Sequence, residues 1–268
     1  MDEWTLSHQS VARAGVFFGA LALMLLLERS FPRRQADPRR GMRWPANFGL
    51  VIVDAAALFA LPVAAFTTAI WAQSRGWGLL NIFHAPPWLA LPLAWVVLDI
   101  AIYWQHRSFH EIRWLWPLHR VHHSDIEFDA TTGLRFHPAE ILLSMLYKCG
   151  VVLVLGAPPA AVLIFEITLN GLALFNHANL GLPAPVDRAL RKFLVTPDMH
   201  RIHHSVYRVE MDSNYGNALS LWDYLFRSYT PVPRDGDEAM RIGLEEFREA
   251  REQKLWRLLA QPGQSTRL

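Results

Sequence analysis

Five runs of apolar residues, at 11–27, 47–72, 88–104, 141–155 and 160–175, restrict most what this chain can fold into. A helix needs about 20 residues to cross a bilayer, with roughly 17 as the floor. The first three runs reach that length. Arg13 interrupts the first, Asp54 and Pro62 the second, and the third carries Asp99. The last two are shorter and are joined by Gly156-Ala157-Pro158-Pro159, a strong turn signal. They read as a tight hairpin whose arms extend into Ala139 and His177. Long runs rather than alternating strands carry the hydrophobicity. The expected fold is therefore all-α: an integral membrane helical bundle of about four or five spans, the last two a hairpin, capped on the cytoplasmic side by a histidine-rich helical region.

The sidedness comes from arginine. The chain has 23 Arg and 3 Lys, and six of the arginines (Arg29, Arg33, Arg34, Arg39, Arg40 and Arg43) fall within 28–45. The linker 73–87 holds only Arg75. Positively charged loops stay in the cytoplasm, so 28–45, 105–138 and everything after His177 are expected there, and 73–87 and 156–159 on the far side. Basic residues clustered beside spans, with a net charge of only +2, argue against a nucleic-acid partner. The polar, acidic N-terminus has no basic region before an apolar core, so a removable signal peptide is not expected. Cys149 is the single cysteine and cannot form an internal disulfide. Lys148 lies midway along the fourth run, where a charge is costly unless it pairs; Glu166 is the candidate partner.

Histidine is the outlier. Eight of the 12 fall in three clusters: His106-x3-His110, His119-x2-His122-His123 and His200-x2-His203-His204. Spacings of three and four put the rings on one helical face. Imidazole suits zinc, copper, iron and nickel, and a structural zinc uses four ligands. Eight histidines exceed what one metal can use, so two metals are expected. The sidedness used no histidine, yet it puts all three clusters on one side. His-Arg-(Val/Ile)-His-His-Ser also occurs twice, at 119–124 and 200–205.

Asp99, Tyr103, His106 and His110 follow one helical stripe, and Glu166, Asn170, Ala173 and His177 repeat the same offsets. His177 is therefore expected as a ninth ligand. Asp99, Tyr103, Glu166 and Asn170 are expected to orient the imidazoles through their other N–H; alternatively Asp99 and Glu166 satisfy each other or nearby backbone. His137 precedes Pro138 and reads as either a ligand or a corner residue at a helix start. His8 and His84 read as ordinary residues.

With Asp99-x3-Tyr103-Trp104-x-His106-Arg107 before them, and Asn214-Tyr215-Gly216 then Leu221-Trp222-Asp223-x2-Phe226 after, the clusters closely resemble the fatty acid hydroxylase / sterol desaturase superfamily over residues 93–230. The resemblance implies two iron ions held by His106, His110, His119, His122, His123, His200, His203 and His204. Asn176-His177-Ala178-Asn179 resembles the family's additional histidine region, where some members have two; a tenth position is left to His137, water or substrate. It further implies O2 as co-substrate and an external electron donor. No cytochrome b5-like region is present, so a separate ferredoxin- or cytochrome-type protein is expected. Residues 1–92 match only loosely.

The expected function is hydroxylation of an unactivated C–H in a membrane lipid-like substrate: fatty acyl, sterol, isoprenoid or ether lipid. Desaturation on the same centre is the alternative. A non-oxidative metal protein is the third: the histidines sit at span ends rather than through them, and no His-Glu-x-x-His supplies a zinc hydrolase's base. The expected organisation is N-terminal spans over 1–92, a catalytic domain over 93–230, and an amphipathic tail over 231–268. Within the tail, 238–261 suits a helix lying on the membrane or on the cap. The high Arg-to-Lys ratio suits a bacterial inner membrane.

Overall fold

Proline and glycine set most of the helix boundaries. A computed structural model describes residues 3–35 and 40–265. Met1 and Asp2 of the polar N-terminus and Arg39 of the arginine-rich segment lie outside the described residues. Ten helices carry the architecture: α1 Glu3–Ser30, α2 Arg40–Ala60, α3 Ala65–Ser74, α4 Leu79–Ile82, α5 Pro87–Glu111, α6 Trp116–His123, α7 Pro138–Leu155, α8 Pro159–Asn176, α9 Ala184–Leu190 and α10 Pro197–His203. Short helical turns follow. Among the described residues there are isolated bridges but no strand. Proline opens α5, α7, α8 and α10, where its missing N–H would have had no partner in any case. Gly156 closes α7 at φ 69°, a left-handed conformation that only glycine adopts freely.

Five segments are long and apolar enough to cross a membrane: His8–Ser30, Arg40–Ile82, Pro87–Glu111, Pro138–Leu155 and Pro159–Asn176. The chain is an integral membrane protein. The second span, expected over 47–72 as a run interrupted by Asp54 and Pro62, is two helices. It ends as α2 at Ala60 and restarts as α3 at Ala65, because Pro62 has no N–H to donate and its ring clashes with the preceding turn. The span also starts earlier, at Arg40, so its first turns belong to the cap.

Inside the bundle, Ala65, Ala69, Ala94, Ala161, Leu98, Val152 and Phe165 form one buried cluster joining α3, α5, α7 and α8. Small residues let such helices approach closely where lipid offers no hydrophobic drive. Ile52, Phe59, Val154 and Ile164 face outward. Lys148 Nζ lies 3.3 Å from Glu166 Oε1, the expected pair, and Arg13 donates to the other oxygen of Glu166 at 2.5 Å.

The arginine-rich segment is bound to the histidine cap. Arg43 is fully buried and pairs with Asp125, with Asp129 at 3.0 Å and with Thr132 at 3.3 Å. Burial alone would raise the Asp125 carboxyl, but Arg43 and Arg135 overcome it and hold the group at about 2. Arg33 reaches Asp198 at 3.2 Å and Asp237 at 2.5 Å.

The 238–261 segment is not one amphipathic helix. Gly243 and Phe247 take positive φ, 95° and 60°, and split it into Gly236–Ala239, Ala250–Gln253 and Leu255–Ala260. It packs on the cap: Met240, Ile242 and Leu258 are buried, and Arg120 donates to the carbonyls of Gln261 and Gln264.

Candidate metal centre

The nine histidines expected to bind metal come from five places: α5, α6, the C-terminal end of α8, α10 and the residue after it. They meet in two groups. Ring nitrogens of His106, His110, His119, His123 and His203 lie within 4.8 Å of one another, and so do those of His122, His177, His200 and His204. The two hexapeptides cross over. Each gives its first and fifth residues, one helical turn apart, to one group and its fourth to the other. His119 and His123 thus join the first group while His122 joins the second; His200 and His204 join the second while His203 joins the first.

The hydrogen bonds on the outer edges of the rings say what sits at the centre. His106 Nδ1 donates to the Tyr215 carbonyl at 2.7 Å, His203 Nδ1 to Ser213 at 2.7 Å, and His119 Nδ1 to Glu140 Oε1 at 2.6 Å. A carbonyl or carboxylate only accepts, so each Nδ1 carries the proton and each Nε2 presents a lone pair. Yet His106 Nε2 lies 3.1 Å from His119 Nε2 and 3.0 Å from His203 Nε2. Three lone pairs converge with no proton to share, which is repulsive unless a cation lies between them. Two nitrogens at right angles on an ion at about 2.1 Å would be about 3.0 Å apart. In the second group His177 Nδ1 donates to Ala173 at 2.6 Å, and its Nε2 faces those of His122 and His200, each at 3.1 Å. Both nitrogens of His123 and His204, and Nε2 of His110, are buried without a hydrogen-bond partner. The donor set fits metal in both groups.

Burial, reinforced by the neighbouring imidazoles, pushes His122, His123, His200 and His204 well below the usual imidazole range. Burial also takes His177 down to about 4 and His203 to about 3. These rings are neutral at neutral pH and their lone pairs are free to ligate.

Of the residues expected to orient imidazoles, none hydrogen-bonds to a clustered ring among the described contacts. Asp99 accepts from Trp222 Nε1 at 2.7 Å and from the Leu219 N–H at 3.2 Å. Tyr103 pairs with Ser228 at 2.8 Å, and Ser228 donates to Asp223 at 2.7 Å. Asp223 accepts from the N–H groups of Tyr215 and Gly216 at 2.8 and 2.9 Å. These residues therefore hold the 214–228 loop, whose Tyr215 carbonyl anchors His106. The correction has a simple cause: α5 periodicity gives the face of Asp99 and Tyr103, not the loop that lies against it. Glu166 is taken by Arg13 and Lys148, and Asn170 lines the cavity below. Asp99 and Glu166 do not pair with each other.

The carboxylates that do reach imidazoles are Glu140, on His119, and Asp212, 3.2 Å from His110 Nδ1. Sequence reasoning missed both. Glu140 reads as a favourable acid in the first turn of a helix, and nothing local marks Asp212. His137 is a corner residue: its Nδ1 accepts from the Ala139 N–H at 3.1 Å and its Nε2 donates to Leu259 at 3.2 Å. It belongs to neither group.

A cavity of about 430 Å³ lies against the histidines. His106, His119, His122, His177 and His200 line it, together with Phe17, Val51, Leu58, Met145 and Leu169 from the spans. The Arg13–Glu166–Lys148 cluster lines it too.

The sequence model of the family described as fatty acid hydroxylase matches residues 91–228. The chain is 29% identical over 233 residues to the alkylglycerol monooxygenase of Xenopus tropicalis, covering 82% of this chain and 48% of that one. It is 30% identical over 231 residues to the human alkylglycerol monooxygenase, covering 82% and 47%. It is 26% identical over 236 residues to an ornithine lipid hydroxylase of Rhizobium tropici, covering 82% and 67%. The chain thus spans about half the length of the two alkylglycerol monooxygenases. No solved structure matches it.

Proposed function

Because the chain belongs to the fatty acid hydroxylase family, we propose that it is a membrane monooxygenase that hydroxylates an unactivated C–H of a lipid. The observation that carries this is the convergence of protonless Nε2 atoms beside a cavity in the spans. His106, His110, His119, His123 and His203 would hold one iron, and His122, His177, His200 and His204 the other. Two irons bound there supply the reduction of O2 and the oxidising power that a C–H bond requires. One oxygen atom enters the lipid; the other leaves as water, with two electrons from a separate ferredoxin- or cytochrome-type protein and two protons.

The chain's own residues do the positioning. Tyr215, Ser213, Ala173 and Glu140 fix the tautomers that aim Nε2 inward, and such outer partners hold rings in ligating geometry. Helices α1, α2, α5, α7 and α8 wall the cavity, which would hold a lipid against the histidines. The names of the relatives, two alkylglycerol monooxygenases and an ornithine lipid hydroxylase, support oxidation of a lipid. The histidine cap would face the cytoplasm of a bacterial inner membrane, a placement supported by the arginines of 28–45 being ion-paired to that cap.

The test is turnover in nanodiscs under 18O2, with iron, a ferredoxin and its reductase, and lipid extract. A product carrying one labelled oxygen, and two irons per chain, is expected. A product two hydrogens lighter would replace hydroxylation by desaturation. A single zinc with no redox-active metal would end the oxygenase reading.

A further inference from the structure

The arginine pattern places everything after His177 in water, yet one stretch of that chain is bonded to the flanks of two spans. Asp99 is the middle residue of the 25 in α5. Its Oδ2 accepts from Trp222 Nε1 at 2.7 Å and from the Leu219 N–H at 3.2 Å. Phe226 stacks on Tyr103 with ring centroids 5.3 Å apart and lies 4.8 Å from Trp104. On α8, the Leu169 carbonyl accepts from Asn217 at 3.4 Å, and Asn217 also lines the cavity. Helix length converts these bonds into depth. The 25 residues of α5 rise about 37 Å, against a hydrocarbon core of roughly 30 Å. Wherever the core is set along α5, Asp99 is about 10 Å or more inside it. The 18 residues of α8 rise only about 27 Å, so no turn of it can be spared from the core. Leu169 lies seven residues from its cap end, again about 10 Å deep.

Non-helical backbone survives at that depth only inside protein. Ala218 and Ser220 are buried, and the residues turned outward belong to the helical turn Leu221–Leu225: Leu221 is 49% exposed and Leu225 60%. The Ser220 N–H donates to the Phe193 carbonyl at 3.2 Å, and its hydroxyl to the Arg191 carbonyl at 2.7 Å. Phe193, 70% exposed, is thereby held beside the turn. Trp104 is exposed on α5 next to Phe226, so the patch continues the outer surface of a span. The acids of these segments, Asp187 and Asp223, are buried and bonded within the protein. The exposed charges, Arg188, Lys192 and Arg227, are all cations. Such side chains snorkel, and anionic headgroups favour them. We propose that Phe193, Leu221 and Leu225 form a wedge set into the acyl chains of the leaflet next to the histidine cap, with Arg188, Lys192 and Arg227 at the level of its headgroups. The partner is the bilayer itself, whatever reaction the histidines serve. The same loop presents the Tyr215 carbonyl to His106, so lipid seats one side of it and an imidazole the other.

Quenching of an attached dye reads the surroundings of the wedge. Metal-loaded protein in nanodiscs is labelled with nitrobenzoxadiazole at Phe193→Cys or Leu225→Cys. Glu245→Cys, at an exposed residue paired with Arg241, is the aqueous control. Cys149 is buried, and dye taken up by the unsubstituted chain is subtracted. Labels at 193 and 225 should lose fluorescence to phosphatidylcholine carrying a doxyl group on its acyl chain and keep it against iodide. The label at 245 should do the reverse. Iodide quenching at 193 and 225 to the extent seen at 245 would overturn the proposal. Labels there shielded from both quenchers would overturn it too, since a second copy of the chain seated on this face gives that result. Should the variants not fold, the unsubstituted protein decides, irradiated with a phospholipid that carries a diazirine on its acyl chain. Adducts on peptides spanning 219–226 are expected, and their absence would sink the wedge.

Discussion

At the scale of residues, Glu140 shows how one side chain serves the metal group and the cavity together. One oxygen accepts from His119 and so keeps the proton off Nε2, while the side chain also lines the cavity. Glutamine at 140 retains an acceptor for His119; leucine does not. Glu140→Gln is expected to load iron nearly as well as wild type, and Glu140→Leu to lose about 10–100-fold in metal affinity. Competitive chelator titration measures both. Arg43 gives a second prediction. It is fully buried against Asp125 and Asp129, so Arg43→Met strands a buried carboxylate at a cost of about 3–5 kcal/mol. A thermal midpoint in detergent unchanged by that substitution would contradict the ion pair. Arg43 was legible only as one charge among several beside a span, because a helical pattern does not say which loop folds back to meet it.

At the scale of elements, the repeated hexapeptide was visible in the chain, and its crossing was not. Helices α6 and α10 each split their histidines between the two groups, so neither can shift without disturbing both. The far end of the bundle is built differently, from close backbone contact. Gly78 has φ 91°, and a Cβ there would lie 2.1 Å from the Gly156 nitrogen at the turn between α7 and α8. Gly78→Ala combines that clash with a backbone conformation, φ 91° and ψ 158°, that is essentially restricted to glycine and costs an L-residue about 1–3 kcal/mol. It should lower the thermal midpoint while iron binding stays at the wild-type level, since the turn is remote from the histidines. Metal loss on a par with the loss of stability would show that the two ends are coupled. Gly156 was readable as a turn because glycine and proline punctuate locally; its partner Gly78 was not, because that contact joins segments far apart in the chain.

At the scale of the whole molecule, membrane spans and metal cap are held by different forces. Helices in a bilayer satisfy their own backbone hydrogen bonds, whereas the cap gathers nine imidazoles whose lone pairs need a cation between them. Stripping the metal with a chelator is therefore expected to lower the thermal midpoint and leave far-ultraviolet helicity largely in place. Restoring iron at about 100 times its Kd should return roughly 2.7 kcal/mol. The sequence by itself determined the all-helical character, the five apolar segments, the Gly156–Pro159 turn and the nine histidines. Period, proline, glycine and residue type are local properties that survive without coordinates. Only the tertiary structure decided that the nine divide as five and four and that Asp99 and Tyr103 brace a loop. It alone showed that Glu140 reaches His119 and that a cavity lies against the histidines. Each of these depends on groups distant in the chain meeting at hydrogen-bond range, and periodicity gives the direction of a side chain without naming what it meets.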